Sequence, residues 1–176
     1  IFTGKSDFLE SFRFTFVVAI LNVAAVNILG ILLAAVLSEK LPLRNVFRLV
    51  FYMPNIIGGL ILGFIWQFIF VNGFPAIGKA LGIEAMSAAW LGDETTAFWA
   101  IVIVSVWQNV GYVMIIMISA FTGLSQEMTE SAMIDGAGPV QIFFKIKLPN
   151  VIPYITVCPF WTLSTAFKMF ELNYSL

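Results

Sequence analysis

The chain has 176 residues, of which 60% are hydrophobic and only 11% charged, and its mean hydropathy is +0.97. Such a composition lies far outside that of soluble globular domains and indicates a protein of the lipid bilayer. The formal net charge of -1 gives no basic surface for nucleic acid. The absence of histidine, with Cys158 as the single cysteine, excludes an intrachain disulfide and the usual zinc and Cys/His nucleophile sites.

Four apolar segments predict membrane-spanning helices, because a spanning helix needs about 20 mostly apolar residues. They lie between Arg13 and Glu39, between Arg48 and Lys79, from Thr95 to Gln126, and after Lys147. The second span is expected to end near Phe70, because the following VNGFP has the composition of a turn. We therefore predict an all-α, polytopic membrane domain over residues 1–176, a fragment that is incomplete at both ends.

The positions of lysine and arginine predict the orientation of these spans. The loop EKLPLRNVFR, residues 39–48, carries three basic residues, and the loop at residues 125–148 carries Lys145 and Lys147. Both loops are therefore expected on the cytoplasmic side.

The first three spans contain no acidic or basic residue. A proton-driven transporter or an intramembrane hydrolase normally places ionisable groups at membrane depth, so neither class has a candidate relay or acid–base pair here. Sodium coupling through backbone carbonyls and hydroxyls remains open. Energy for uphill transport is expected to enter through a cytoplasmic loop.

The run WQNVGY in the third span is a candidate lining for a polar passage, through Trp107, Gln108, Asn109 and Tyr112. Amides and aromatic faces suit uncharged, hydroxylated ligands. The alternative, that these residues only join helices by hydrogen bonds, is equally compatible with the sequence.

Other neutral polar residues of the spans have a simpler interpretation. Amide side chains in a membrane bundle commonly hydrogen-bond a neighbouring helix. This structural role is the expectation for Asn22, Asn27 and Gln67.

The segment at residues 125–148 has the residue types of a helical hairpin. Ser125 is a suitable N-cap for a short first helix, and Gly136 suits the left-handed position that closes it. Pro139 suits the first position of a second helix, which Pro149 is expected to end. The exposed apolar residues of such a hairpin fit either a knob gripped by another protein or a membrane-surface hairpin without a partner.

The stretch ESAMIDGAGPVQIFFKIKLPNVIP closely resembles the cytoplasmic loop of permease subunits of binding-protein-dependent ABC importers. That loop has the pattern Glu-Ala-Ala, three residues later Asp-Gly-Ala, then phenylalanine and Leu-Pro. Ser131 replaces the first alanine, and the matching positions are Glu130, Ala132, Asp135, Gly136, Ala137, Phe143, Leu148 and Pro149. Upstream, FRLVFYMPNIIGGLILGFIWQFIF, WLGDETTAFWAI and VSVWQNVGYVMII are similar to segments of permeases for maltose, other oligosaccharides and glycerol phosphate.

The resemblance implies a type I ABC importer permease fold, with about four of the usual six spans present and a cytoplasmic coupling-helix loop. It also implies that the 130–149 loop docks on an ATPase subunit. The residues expected in that coupling surface are Glu130, Ser131, Ala132, Asp135, Gly136, Ala137, Gly138, Phe143 and Pro149.

The function implied is a multi-pass permease of a bacterial or archaeal cytoplasmic (inner) membrane that forms the path for a sugar or oligosaccharide. Its implied partners are a second permease subunit, two cytoplasmic ATP-binding subunits, an extracytoplasmic solute-binding protein and the lipid bilayer, with no nucleic acid. The chain itself is expected to be no enzyme and to need no cofactor or metal, because it has no complete GxxxxGK[ST] phosphate loop and the partner ATPase binds ATP and magnesium. Alternatives are a permease for glycerol phosphate, a polyamine or an amino acid, or a non-transporting membrane scaffold.

Overall fold

The computed structural model of the chain describes residues 5–39, 41–83, 86 and 89–167, with side chains from Phe12 onward. Every regular element among these residues is a helix, as predicted. We label them α1 (Lys5–Leu37), α2 (Arg44–Ile56), α3 (Gly59–Leu81), α4 (Glu94–Thr122), α5 (Gln126–Ile134), α6 (residues 139–150) and α7 (Ile152–Ala166).

Three of these helices are long and apolar enough to cross a membrane. The spans are Phe12–Leu37 within α1, Gly59–Leu81, which is α3, and Glu94–Thr122, which is α4. The predicted fourth span corresponds to α7, which has 15 residues. The segment predicted as this span, NVIPYITVCPFWTLSTAF, ends at Phe167 and lies within the described residues, but α7 is not among the three candidate spans found there.

The second predicted span differs from its prediction in its interior and at its C-terminal end. It is broken at Ile57 and Gly58, whose backbones are extended, and α3 then continues through VNGFP to Leu81 instead of ending near Phe70. The turn-like residues lie in a π-helical turn, Ile69–Gly73, followed by α-helix Phe74–Leu81. Proline lacks an N–H and clashes with the carbonyl four residues earlier, and the wider π turn before Pro75 accommodates both constraints without ending the helix.

Helix α4 is the centre of the bundle and packs against α1, α2 and α7. The largest buried cluster joins three of these helices through residues such as Val26 and Ala34 of α1, Met114 and Met117 of α4, and Cys158 of α7. Helices α1, α2 and α7 are therefore all placed against α4.

Two glycines allow the backbones at these crossings to approach closely. A Cβ atom built on Gly111 of α4 would lie 2.1 Å from the carbonyl oxygen of Phe51 in α2. A Cβ atom on Gly30 of α1 would lie 2.7 Å from Cγ1 of Val113 in α4. At Gly111 the obstacle is backbone, which cannot move aside as a side chain can.

We expect Gly111→Ala to destabilise the purified protein by about 1–3 kcal/mol, because α2 must move away from α4 to admit the methyl group. The measurement is thermal unfolding in detergent. Gly58→Ala is the matched control, since a Cβ atom there meets nothing within 4 Å. Equal melting temperatures for the two variants would contradict the close crossing of α2 and α4.

Candidate functional site

The hairpin begins with α5, which ends in the turn that the sequence predicts. Gly136 has a φ of 83°, its N–H donates to the Met133 carbonyl at 3.1 Å, and the Ala137 N–H donates to the Ala132 carbonyl at 2.9 Å. These two bonds form a Schellman motif, in which a left-handed residue closes a helix. The prediction for Gly136 is confirmed.

Ser125 occupies the N-cap position of α5, but its side chain makes no capping hydrogen bond. The expected side-chain cap is therefore absent, although the helix begins where the cap residue predicts. In the first turns of α5, the Gln126 amide instead donates to the Glu130 carboxylate at 2.8 Å. This bond between residues one turn apart orients the carboxylate on the exposed face.

The second helix of the hairpin, α6, starts at Pro139 as predicted, and the Gly138 N–H donates to the Gln141 side-chain oxygen at 3.2 Å. The prediction that Pro149 ends this helix is wrong, because α6 continues to Asn150. A π-helical turn, Phe143–Lys147, precedes Pro149 just as another precedes Pro75. In both helices the π turn accommodates the ring and the missing N–H of the proline.

The nine predicted coupling residues divide into an exposed group and a group turned toward their own chain. Glu130, Ser131, Asp135, Gly136 and Pro149 are exposed. The residues that are buried or half-buried are Ala132, Ala137, Gly138 and Phe143.

Phe143 anchors the hairpin to the bundle. Its ring lies 5.9 Å from that of Phe121, measured between centroids, and it packs against the cluster around α4. Next to the exposed carboxylates, the hairpin presents large apolar side chains, with Met133, Ile134 and Val140 exposed by 59%, 86% and 68%. Phe143 thus packs the hairpin against the bundle, and the outer face of the hairpin is amphipathic.

The four predicted path residues contact different neighbours rather than one common lining. The Gln108 amide donates to the Ile57 carbonyl at 3.3 Å, the Asn109 amide donates to the Ser105 carbonyl of its own helix at 2.8 Å, and the indole of Trp107 meets Trp66 edge to face at 5.4 Å. Successive residues of a helix point about 100° apart, so Trp107, Gln108 and Asn109 point in different directions.

Tyr112 lies one turn after Gln108, on the same face of α4. Its ring stacks on that of Trp161 in α7, with centroids 3.8 Å apart. The aromatic pair joins α4 to α7 on the face of α4 that also carries Gln108.

Gln108 and Asn55 form hydrogen bonds at the break between α2 and α3. No role is predicted for Asn55 from the sequence. The Asn55 amide donates to the Gln108 backbone carbonyl at 3.3 Å, while the Gln108 side-chain amide donates to the Ile57 carbonyl. The break lies in an apolar environment, where unpaired backbone groups are costly. Pro54 and the glycine pair after Ile57 are the sequence signals that point to a break here.

Two further amides join α1 to its neighbours, as expected for Asn22 and Asn27. The Asn22 amide donates to the Ser105 hydroxyl of α4. The Asn27 amide donates to the Thr162 hydroxyl of α7 at 2.9 Å, and all four side chains are buried. These bonds connect α1 to both packing partners at membrane depth.

The model of the binding-protein-dependent transport system inner membrane component matches residues 26–172, which include α2 to α7 and the C-terminal part of α1, from Val26 onward. The chain belongs to this family.

Curated relatives of the permease include the probable starch degradation products transport system permease protein AmyD of Thermoanaerobacterium thermosulfurigenes. It is 42% identical over 171 residues, covering 97% of this chain and 58% of the relative. The multiple sugar-binding transport system permease protein MsmF of Streptococcus mutans is 31% identical, over 96% of this chain and 58% of the relative. This chain therefore spans a little over half the length of these two proteins.

The fold is shared with solved permeases. The chain matches a bacterial ABC transporter involved in the import of the acidic polysaccharide alginate with a TM-score of 0.83 at 19% identity, covering 97% of this chain and 65% of that chain. A second structure of the alginate transporter matches with a TM-score of 0.79, over 98% and 67% of the two chains. The helical arrangement is thus that of an ABC importer permease.

One segment of the permease partly matches a nucleotide-binding motif. Residues 73–79, GFPAIGK, have the glycine and lysine spacing of a phosphate loop, but Ala80 replaces the required Ser or Thr and the segment lies inside α3. It therefore lacks both the hydroxyl and the loop conformation of a phosphate-binding site. Among the described residues, no three His, Cys, Asp or Glu side chains are grouped so that they could hold a metal ion.

We expect Gln108→Leu to lower the stability of the permease by about 1–2 kcal/mol, because it leaves the Ile57 carbonyl unpaired in an apolar environment. Asn72→Leu is the matched control, since the Asn72 amide is exposed and donates to the Phe68 carbonyl of its own helix at 3.3 Å. Thermal unfolding in detergent compares the two variants. A melting temperature of Gln108→Leu as high as that of Asn72→Leu would show that the break does not need this bond.

Proposed function

We propose that this chain is the membrane-spanning permease subunit of an ATP-driven importer and that its α5–α6 hairpin couples it to a separate ATP-hydrolysing subunit. One observation carries the proposal: a chain of the binding-protein-dependent permease family presents a Schellman-closed hairpin with an exposed amphipathic face. The permease contributes the path and the ATPase contributes the energy.

The outer face of the hairpin suits docking into a cleft of another protein. Large apolar residues at the tip, such as Ile134, supply anchors that desolvate on binding, and Glu130 and Asp135 supply charged hydrogen-bond acceptors beside them. The closing turn is held by two backbone hydrogen bonds, so the hairpin loses little conformational entropy when it docks.

Movement of a docked hairpin reaches the spans through Phe143. This ring packs against Phe121, near the end of α4, and α4 in turn contacts α1, α2 and α7. Closure of the ATPases on ATP would therefore displace the central helix of the bundle. Alternating access, in which the spans open first outward and then inward, follows from that displacement.

The proposed solute is an uncharged sugar or oligosaccharide. The polar groups near the break of α2 and α3 are the amides of Asn55 and Gln108, and the neighbouring aromatic pair is Tyr112 and Trp161. Amides hydrogen-bond hydroxyl groups, and aromatic faces pack against the C–H faces of sugar rings. The names of the curated relatives, which refer to starch degradation products and to multiple sugars, support the same class.

The proposed assembly contains a second permease subunit, two cytoplasmic subunits that bind ATP and magnesium, and an extracytoplasmic solute-binding protein, in a bacterial or archaeal inner membrane. The family description and the complex of the alginate transporter with its periplasmic protein support this assembly.

Replacement of Gly136 by valine is expected to abolish ATP-driven uptake into proteoliposomes that contain the partner subunits, while insertion in the membrane is retained. The reason is that an L-residue is disfavoured at φ 83° by about 1–2 kcal/mol, which opens the closing turn. Gly82→Val is the matched control, because Gly82 has a φ of 69° at the end of α3 and a Cβ atom there also meets open space. Full uptake by the Gly136→Val permease would overturn the docking role of the hairpin.

Alanine variants of Gln108, Asn109 and Tyr112 test the solute path separately. We expect at least one of them to change the apparent affinity or the rate of sugar uptake, because Gln108 bonds the break and Tyr112 lies on the same face of α4. Ser119→Ala is the control on the same helix, as that hydroxyl is exposed and bonds the Ile115 carbonyl one turn earlier. Unchanged transport kinetics in all three variants would locate the path elsewhere.

A further inference from the structure

A charged contact joins the end of α1 to the hairpin. The Lys147 ammonium donates to the Glu39 carboxylate, and the two residues are 108 positions apart in the chain. Glu39 follows the last turn of α1, and Lys147 is the last residue of the π-helical turn in α6. The Lys147 side chain is 20% exposed and that of Glu39 is 61% exposed.

Beside this contact, α1 and α6 do not pack tightly against each other. A groove of about 430 Å³ lies between them, lined by Ala35 and Val36 on one side and by Val140 and Phe144 on the other. Glu39 and Lys147 both belong to its lining. The ion pair therefore bridges an open apolar groove instead of lying on a packed interface.

The α1 side of this bridge is firmly held. The Arg48 guanidinium donates to the Leu37 carbonyl at 2.7 Å, which connects the last turn of α1 to α2. Deeper in the bundle, Asn22 and Asn27 bond α4 and α7. A force applied at Glu39 would therefore act on a helix that is connected to the rest of the spans.

We propose that Glu39 and Lys147 are positioning residues that transmit displacement of the hairpin to α1, across the groove and independently of Phe143. This inference rests on the proposed function, since it assigns a second route from the docked hairpin to the spans. An ion pair this exposed contributes little to folding stability. Its effect is thus expected on the efficiency of coupling, and not on assembly.

The test uses the reconstituted importer with all its partner subunits and compares Glu39→Lys, Lys147→Glu and the double charge swap. The measured quantity is the number of solute molecules imported per ATP hydrolysed, with copurification of the ATPase as the check on assembly. We expect each single reversal to lower the ratio by about threefold or more while the ATPase still copurifies, and the swap to restore most of it. A purely structural role would leave this ratio unchanged.

Lys145→Glu is the matched control, because it makes the same charge change in the same π-helical turn at an exposed side chain. The control is expected to keep the wild-type ratio. If the wild-type chain imports nothing on ATP, the proposed function falls and this inference falls with it. If the wild type imports but the single reversals keep its ratio, the swap fails to rescue, or Lys145→Glu lowers the ratio equally, the inference alone is overturned.

Discussion

The backbone of α2 crosses α4 at Gly111 with no space for a side chain, and much of the bundle depends on this crossing. It brings the end of α2 beside α4, so that the break at Ile57 and Gly58 lies within reach of the Gln108 amide. Without so close an approach the broken helix would leave carbonyl groups unpaired in an apolar environment. The absence of a side chain at Gly111 thus allows α2 to approach α4 so closely that the break after α2 can be hydrogen-bonded.

The conformation of the hairpin, unlike the crossing at Gly111, is determined by residues that are close together in the sequence. Its closing turn needs only a residue that tolerates a positive φ at Gly136 and the backbone bonds to Met133 and Ala132. Its link to the spans is tertiary, through the Phe143 ring on Phe121 and through the Lys147 contact with Glu39. Because the hairpin is connected at two points to separate helices, a displacement of the hairpin would be carried into the bundle.

Residues whose conformational preference is local allow reliable prediction, and residues that depend on distant partners do not. Gly136 and Pro139 were read correctly, because the conformations that they favour are properties of one or two residues. Pro149 and the segment VNGFP were misread as helix ends, because a π-helical turn before each proline absorbs the disruption. The amides of the third span could not be assigned from sequence, since the partner of Gln108 is a carbonyl freed by a break in another helix.

The sequence by itself determined that the chain is helical and membrane-embedded, that its first three spans have no charged interior, and that a glycine-closed hairpin follows the third span. Each of these follows from composition or from the conformational preference of single residues. Only the tertiary structure decided that α4 is central, that the Gln108 amide donates to the Ile57 carbonyl at the break between α2 and α3, and that Glu39 contacts Lys147. Those facts depend on which residues from distant parts of the chain come together, and that is set by the packing of whole helix faces.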